Sequence, residues 1–181
     1  MKRLSTAIAA LILALTGLIS IGSSVGSTAP LIPSTADPAR HGYNFDRFLD
    51  RYEEANTAFV NGDPSPWLSM TAEKDPASIF GGFGGLGEAG TEDVHQRYVL
   101  AATAFQPSGA TIEFEYLVKD VRGRLAYTVA IERGEVLYSG QTTPQPHVLR
   151  STMIFRFDAG DWRIVHRHAD TMLDLELPTA A

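Results

Sequence analysis

The 181-residue sequence contains 15 Lys and Arg against 21 Asp and Glu, a formal net charge of −6, and no Cys. This acidity argues against binding to nucleic acid or an anionic membrane, and the lack of Cys excludes disulfides, a thiol nucleophile and an acylated N-terminal Cys. With 44% hydrophobic and 20% charged residues, the chain can form one packed domain with an appendage.

The N-terminus has the order of a secretory signal. Met1-Lys2-Arg3 is basic, residues 4–21 are uncharged and apolar, and residues 22–29 are mostly small. We expect residues 1–26 to be a cleaved signal peptide, so that the mature protein is exported and keeps no stable membrane association. The alternative is an uncleaved N-terminal anchor, since an apolar run of about 18 residues is just long enough to span a bilayer. Cleavage leaves 13 basic and 21 acidic residues, a net charge of −8.

Helices are predicted in the first half of the mature chain. Residues 27–42 are rich in Pro, Ser, Thr and Ala and predict a linker. Asn44 is a suitable N-cap for a helix whose apolar residues recur at helical spacing from Phe45 to Val60. A short helical turn over 64–70 and a helix beginning at Thr91, with Tyr98 on its apolar face, complete this half.

A glycine-rich stretch precedes the last of these helices. The segment "SIFGGFGGLGEAGTEDVHQRY" (78–98) contains G-x-G-x-x-G, the spacing of a dinucleotide-binding turn. Such a turn requires a buried strand before it, a helix that opens at the last glycine, and a parallel strand beyond. Here only residues 77–80 can form a strand before it, and the next helix opens at Thr91. We therefore predict no nucleotide cofactor and interpret the stretch as a loop over a pocket.

The period changes to two from residue 112 onward. Strands are predicted over 112–119, 125–132, 148–157 and 162–170, with tight turns at Arg122-Gly123 and at 158–161. Helices followed by hairpins predict an α+β fold in which an antiparallel sheet wraps over the long helix.

Several stretches together resemble a known family. They are "SIFGGFGG", "GTEDVHQRY", "LAYTVAIERG", "LRSTMIFRF" and "DWRIVHRHAD". The chain resembles the SnoaL-like branch of the nuclear transport factor 2-like superfamily, which includes ketosteroid isomerase and polyketide cyclases. The resemblance delimits a domain over 43–172, followed by a tail at 173–181. It implies a cystatin-like, cone-shaped roll of helices on a curved antiparallel sheet, often dimeric, with a pocket at its mouth. The cyclases use a pocket carboxylate as acid and base, whereas other members only bind ligands or partners.

The last predicted strand carries most of the candidate site residues. Alternation places Trp162, Ile164, His166, His168 and Asp170 on one face and Arg163 and Arg167 on the other. A tight hairpin sets Phe157 opposite Trp162, Met153 opposite His166, Ser151 opposite His168 and Leu149 opposite Asp170. We expect the histidine face to be concave, because the arginines of the other face could not be buried without partners. A bulge at Ala159-Gly160 is the alternative and would turn Arg150 inward.

These residues suit acid–base chemistry. Asp170 and His168 are predicted to be catalytic, because a carboxylate in an apolar pocket can take a proton from carbon next to a carbonyl. The predicted substrate-binding residues are His166, His95, Tyr98, Tyr127, Phe80 and Trp162. Among them Tyr98, Tyr127 and His95 could donate to an oxyanion, although His166 and both tyrosines also suit a hydrogen-bonded or packed core. A zinc site on His166 and His168 with Asp170 or His95 is an alternative, but no metal is expected.

Two kinds of function fit this sequence. The first is a cofactor-independent isomerase, cyclase or dehydratase acting on a hydrophobic carbonyl compound through carboxylate and histidine. The second is a non-catalytic module that binds a small molecule or dimerises. In both, the expected partners are a hydrophobic small molecule and a second copy of the chain.

Overall fold

The structure, a computed structural model, describes residues 38–171, with side chains from Asn44 onward. The predicted signal peptide, the predicted tail at 173–181 and residues 27–37 of the predicted linker lie outside the described residues.

Three helices lie before the main strands. They are α1 (Pro38–Phe59), α2 (Ser65–Met70) and α3 (Thr91–Ala102). The predicted N-cap at Asn44 is wrong, because α1 begins at Pro38, a residue whose fixed φ suits a first helical turn. At the start of α3, the Asp75 carboxylate accepts hydrogen bonds from the backbone N–H and the hydroxyl of Thr91, at 2.8 and 3.0 Å.

Within residues 38–171, none of the helices has the length and hydrophobicity needed to cross a membrane.

Seven strands form one sheet. They are β1 (Ser78–Phe80), β2 (Glu88–Ala89), β3 (Phe105–Gln106), β4 (Glu113–Arg122), β5 (Leu125–Tyr138), β6 (Gln145–Asp158) and β7 (Asp161–Thr171). Their order is β2-β1-β7-β6-β5-β3, and β4 also pairs with β5. All pairs are antiparallel except β1 with β7. The predicted α+β class, with helices before a curved antiparallel-rich sheet, is confirmed.

The core lies between α1 and the inner face of the sheet. Phe45 of α1 packs edge to face on Phe155 of β6 and Trp162 of β7, with ring centroids 5.2 and 5.1 Å apart. The inner face of β6 continues with Met153, which is fully buried. These large aromatic contacts fix how α1 crosses the sheet and leave its C-terminal half to border an interior cavity.

A bulge in β7 decides which side chains face inward. The pairs Phe157–Trp162 and Phe155–Ile164 follow the predicted register, but the next pair is Ile154–His166, which leaves Val165 without a partner. One extra residue inverts the alternation of every residue beyond it. Arg167 consequently lies opposite Met153 and is buried, whereas His166, His168 and Asp170 lie on the outer face.

The bulge corrects the predicted faces. The pairings of Met153 with His166, Ser151 with His168 and Leu149 with Asp170 are wrong, and so is the concave placement of His166, His168 and Asp170. The tight turn holds, with Asp158 opposite Asp161. Arg150 lies outward, as the tight hairpin predicts, and pairs with Asp170 there.

Candidate functional site

An interior cavity lies between the helices and the inner face of the sheet. Its volume is about 50 Å³. The polar side chains in its wall are Asn56, Trp67, Arg97, Tyr98, Glu132, His147 and Arg167, and the rest of the lining is largely apolar. By this measure the cavity has room for a few water molecules or a ligand of a few heavy atoms.

A buried ion pair forms the cavity floor. Arg167 of β7 donates from Nη1 and Nη2 to the two carboxylate oxygens of Glu132 on β5, at 2.7 and 2.8 Å. The residues are 8% and 1% exposed. The guanidinium also lies over the Trp67 ring, 5.4 Å from its centroid, and contacts the Tyr52 hydroxyl at 3.4 Å. Two charges can be buried here because each satisfies the other with matched geometry.

The pair stays ionised. Burial opposes ionisation of Glu132, but the charge of Arg167 and its hydrogen bonds outweigh it and lower the Glu132 pKa. Burial likewise works against the charged form of Arg167, and Glu132 more than offsets it, so the Arg167 pKa is raised. At neutral pH this pair therefore provides fixed charge and holds no proton that it can readily exchange.

His147 also lines the cavity, and histidine is the side chain that ordinarily titrates nearest to neutral pH. It lies near the start of β6, 8% exposed, with Nδ1 2.8 Å from the Tyr138 hydroxyl. Burial lowers the pKa of His147, Arg167 adds to this effect, and Glu132 opposes it. The imidazole is therefore neutral at pH 7, with one ring nitrogen tied to Tyr138.

Tyr98 and Trp67 bring two further polar groups to the cavity. Both residues are buried, and neither the Tyr98 hydroxyl nor the Trp67 indole N–H makes a hydrogen bond of ordinary geometry within residues 38–171. Burial raises the pKa of Tyr98 to about 12, against a lowering by Arg167 and by the nearby Trp67 N–H. The phenol thus keeps its proton at neutral pH and is free to donate it to an acceptor oxygen.

The other predicted site residues lie elsewhere. On the outer face, Asp170 accepts two hydrogen bonds from Arg150, at 2.9 and 2.8 Å. His166 Nδ1 lies 2.8 Å from the Ser78 hydroxyl, and Phe80 contacts the rings of His166 and His168. A catalytic role for Asp170 and His168 stays a prediction, but they share no cavity with Tyr98.

Three remaining candidates are also separated from the cavity. Tyr127 is 40% exposed on the outer face of β5, opposite Ile154. Trp162 is completely buried in the core beside Phe45. His95 of α3 is half-buried and does not line the cavity. Tyr98 alone of the predicted set stands in the cavity wall.

Sequence reasoning missed Glu132, Arg167 and His147. Arg167 is predicted on the outer face and Glu132 is not predicted in the site, although Glu132 has the same strand parity as the buried Ala126, Thr128 and Ala130. His147 falls in a predicted loop, but it continues the odd-numbered inward series of Met153 and Phe155. Parity along β5 and β6 is the signal that could have found two of the three residues.

The glycine stretch forms part of the cavity wall. Gly81, Gly82 and Phe83 line the cavity, and Gly87 is followed by β2 rather than by a helix. The loop therefore lacks the helix N-terminus that a dinucleotide turn places at its last glycine. Within residues 38–171, no three His, Asp or Glu side chains are grouped closely enough to hold a metal ion.

Comparisons with known proteins agree with this architecture. Residues 45–173 match the family model described as a SnoaL-like domain. A nuclear transport factor 2-like superfamily protein from Salmonella enterica superposes with a TM-score of 0.63 at 16% identity, over 79% of this chain and 99% of that one. No curated protein sequence gives a significant match.

Two further solved structures carry enzyme names. A candidate dehydratase of the nuclear transport factor 2-like family from Streptomyces avermitilis has a TM-score of 0.58 at 18% identity, over 75% of this chain and 99% of that one. A candidate scytalone dehydratase from Novosphingobium aromaticivorans has a TM-score of 0.56 at 13% identity, over 78% and 92%. At such identities the likeness establishes the fold alone.

Proposed function

Because this chain belongs to the SnoaL-like domain family, we propose that its interior cavity binds a small carbonyl compound and that His147 transfers a proton on it without a cofactor. The observation that carries the proposal is the placement of a neutral imidazole in the wall of a largely apolar cavity that also holds the unpartnered Tyr98 hydroxyl. A base and a hydrogen-bond donor in the wall of one cavity are the two groups that enolisation requires.

The proton transfer starts from one tautomer of His147. With Nδ1–H donating to the Tyr138 oxygen, Nε2 carries a free lone pair. Nε2 takes the proton from the carbon next to the carbonyl, and the C–H electron pair forms the C=C bond of an enolate. Return of the proton to another carbon gives an isomer, and loss of a β-hydroxyl as water gives a dehydration. Both outcomes balance without a redox partner.

Tyr98 and the ion pair stabilise the enolate. The Tyr98 O–H donates to the developing oxyanion. It is available to do so because it donates to no other described side chain. Burial sets the Tyr98 pKa high, and of the two neighbouring charges Arg167 lowers it more strongly than Glu132 raises it. The stronger effect of the positive charge also favours an anionic ligand oxygen beside Tyr98. Arg167 acts in this way through its charge while it remains bonded to Glu132.

The comparisons and the N-terminus add support for parts of this proposal. Two similar structures are named as candidate dehydratases, a reaction class that begins with such a proton transfer. The signal-like residues 1–26 support an exported protein that meets its ligand outside the cytoplasm.

The alternative is a binding module without turnover. It is favoured by the cavity volume of about 50 Å³, because a protein cavity that holds benzene measures about 150 Å³. A cavity of this size accepts only a small ligand unless its wall moves.

We also propose a second copy of the chain as partner on the outer face of the sheet. Leu117, Leu125 and Tyr127 are 59%, 54% and 40% exposed there, and Ile154 lies next to them. Exposed apolar side chains on one sheet face are typical of a protein contact surface.

Deuterium exchange at carbon tests the enzymatic proposal. Cyclopentanone, 2-cyclohexen-1-one and 1-tetralone are incubated with the protein in D₂O, and loss of the α or γ proton signal is followed by NMR. The wild type should accelerate exchange of at least one ketone, and His147→Gln should reduce that rate by about 10² to 10⁴. Asp170→Asn, which alters the outer face, should retain it.

The results separate the candidates. Exchange that survives His147→Gln but is lost in Asp170→Asn would place the chemistry on the outer face. If no ketone exchanges and native mass spectrometry shows a co-purified small molecule, the binding-module alternative replaces the enzyme.

A further inference from the structure

The glycine loop, residues 81–87, is folded tightly against the cavity. Gly84, Gly85 and Gly87 have φ values of 78°, 99° and 87°, which side-chain-bearing residues rarely adopt. A Cβ at Gly82 would lie 3.0 Å from Leu149 Cδ1, so the backbone at Gly82 packs directly on the Leu149 side chain of β6. The loop therefore forms part of the cavity wall through its own backbone and through Phe83.

Arg97 of α3 ties this loop to the body of the domain. Its Nη2 donates to the Gly84 carbonyl, and its Nη1 lies 3.3 Å from a Glu88 carboxylate oxygen just beyond the loop. The guanidinium lies against Gly81 and Gly85, where a Cβ would be 3.4 Å from it. Within residues 38–171, Arg97 is the only residue whose side chain hydrogen-bonds to the loop.

Phe83 packs on the two aromatic residues that contact His147, the group proposed to transfer protons. Its ring lies 5.7 Å from Phe105 and 6.4 Å from Tyr138, measured between centroids. The Tyr138 hydroxyl in turn lies 2.8 Å from His147 Nδ1. Phe83 also lines the cavity and is 51% exposed, so it forms a part of the cavity wall that faces solvent.

We propose that Arg97 determines the size of ligand that the cavity admits. With the loop held by Arg97, the cavity of about 50 Å³ accepts molecules of a few heavy atoms. A ring-sized ligand enters only when Arg97 releases Gly84 and Glu88 and the loop lifts. The Arg97 and Glu88 side chains are 18% and 27% exposed, so water can replace their interaction on opening. This size limit rests on the proposed function only in that the admitted ligand would be the substrate.

Quenching of Trp67 fluorescence tests this gate without any substrate. The chain has two tryptophans, and Trp162→Phe leaves Trp67, in the cavity wall, as the single fluorophore. Acrylamide and the larger, cyclic succinimide are both neutral quenchers that differ in size. In Trp162→Phe protein, succinimide should quench Trp67 much less than acrylamide does, since the latched loop excludes the larger molecule.

Removing the Arg97 contacts with Gly84 and Glu88 should abolish this selection by quencher size. Adding Arg97→Gln should raise the succinimide quenching constant about three-fold or more and the acrylamide constant less. Glu88→Gln, which keeps Arg97 and its bond to Gly84, should give a smaller rise of the same kind. Arg122→Gln is the matched control, because Arg122 is an exposed arginine on β4, paired with Asp120 away from the cavity.

The outcome that overturns the proposal is a succinimide-to-acrylamide ratio that Arg97→Gln leaves unchanged or that Arg122→Gln raises equally. Circular dichroism verifies that each variant is folded, and Glu88→Gln carries the test if Arg97→Gln is not. If Trp162→Phe does not fold, wild type compared with Trp67→Phe gives the contribution of Trp67 by difference. Since no ketone is present, a failed gate leaves the His147 proposal standing, and an inactive protein leaves the gate standing.

Discussion

Arg167 and Glu132 meet inside the domain through two parallel hydrogen bonds of 2.7 and 2.8 Å. They come from strands β7 and β5, which are separated by β6. Arg167 lies opposite Met153 of β6 and Glu132 lies opposite Leu149, so their side chains meet diagonally over that strand. The pair exists because the bulge at Val165 turns Arg167 inward. Each residue remains charged in the core because the opposite charge of the other offsets its burial.

Breaking this pair should cost far more than replacing it. Arg167→Met leaves a buried carboxylate without a partner, and we expect the free energy of unfolding to fall by about 3 to 5 kcal/mol. The double variant Glu132→Leu/Arg167→Met removes both charges and should recover most of that loss. Urea denaturation followed by circular dichroism measures both. A double variant as unstable as the single would mean that the pair is not the source of the cost.

The Arg150–Asp170 pair on the outer face is the matched comparison. It has similar two-point geometry, at 2.9 and 2.8 Å, but its side chains are 56% and 46% exposed. Water and salt replace an exposed pair at little cost, so Arg150→Ala should leave the urea midpoint close to that of the wild type. A loss comparable to that of Arg167→Met would contradict the outward placement of Arg150.

The sequence predicts the elements of this fold well, because their signals are local. Helical spacing finds α1 and α3, the two-residue period finds β4 to β7, and the tight turn at 158–161 fixes the pairs up to Phe155 with Ile164. The bulge has no comparable signal. The segment "IVHRHAD" alternates equally well with histidines or with Arg167 inward, and only the adjacent apolar pair Ile164-Val165 hints at an interruption.

This single residue explains most of the difference between the predicted and the observed site. A one-residue shift moves Asp170, His168 and His166 to the outer face and brings Arg167 to Glu132. The rule that arginines avoid the interior fails here because Glu132 supplies a partner from a strand that is distant in sequence. Tyr98 was predictable because it lies on the apolar face of a single regular helix.

The free energy of unfolding should fall as the pH drops below about 6.5, the ordinary pKa of a histidine side chain. The pKa of His147 is lowered by burial in the folded state, so the unfolded chain binds a proton first as pH falls. The resulting loss begins near the unfolded pKa and stops growing below the folded one. The pKa of His166 is lowered in the same direction, chiefly by burial and then by His168.

Urea midpoints between pH 5 and 7.5 test this linkage. His147→Gln should reduce the slope of stability against pH in this window, and His166→Gln should reduce it further in the double variant. A His147→Gln protein with the wild-type slope would show that the imidazole is not desolvated in the fold.

Dimerisation through the outer face predicts a charge-sensitive association. Sedimentation equilibrium of the domain should give twice the monomer mass, and Leu117→Lys should shift it toward the monomer, because a lysine would be desolvated at the contact. Leu100→Lys on α3, 64% exposed and away from the sheet, is the control and should stay dimeric. A monomeric wild type would rule out the contact, as would dissociation by Leu100→Lys alone.

Tyr98→Phe should act on stability and on activity with opposite signs. The Tyr98 O–H donates no hydrogen bond within residues 38–171, although the Trp67 N–H lies near its oxygen, so the fold bears the desolvation cost of this buried donor. Its removal should raise the free energy of unfolding by about 1 kcal/mol. If this hydroxyl holds the enolate oxygen, the same variant should lower the ketone exchange rate by about 10² to 10³.

Tyr52→Phe distinguishes this effect from a general response to losing a phenol. The Tyr52 hydroxyl is equally buried but accepts a hydrogen bond from Arg167, at 3.4 Å, so its removal should destabilise the domain. Tyr52 does not line the cavity, and Tyr52→Phe should leave exchange within a few-fold of the wild type. Urea denaturation and the NMR exchange assay are run on both variants. A Tyr98→Phe protein that is less stable than the wild type would show that the hydroxyl has a structural partner, and an unchanged exchange rate would remove Tyr98 from the proposed reaction.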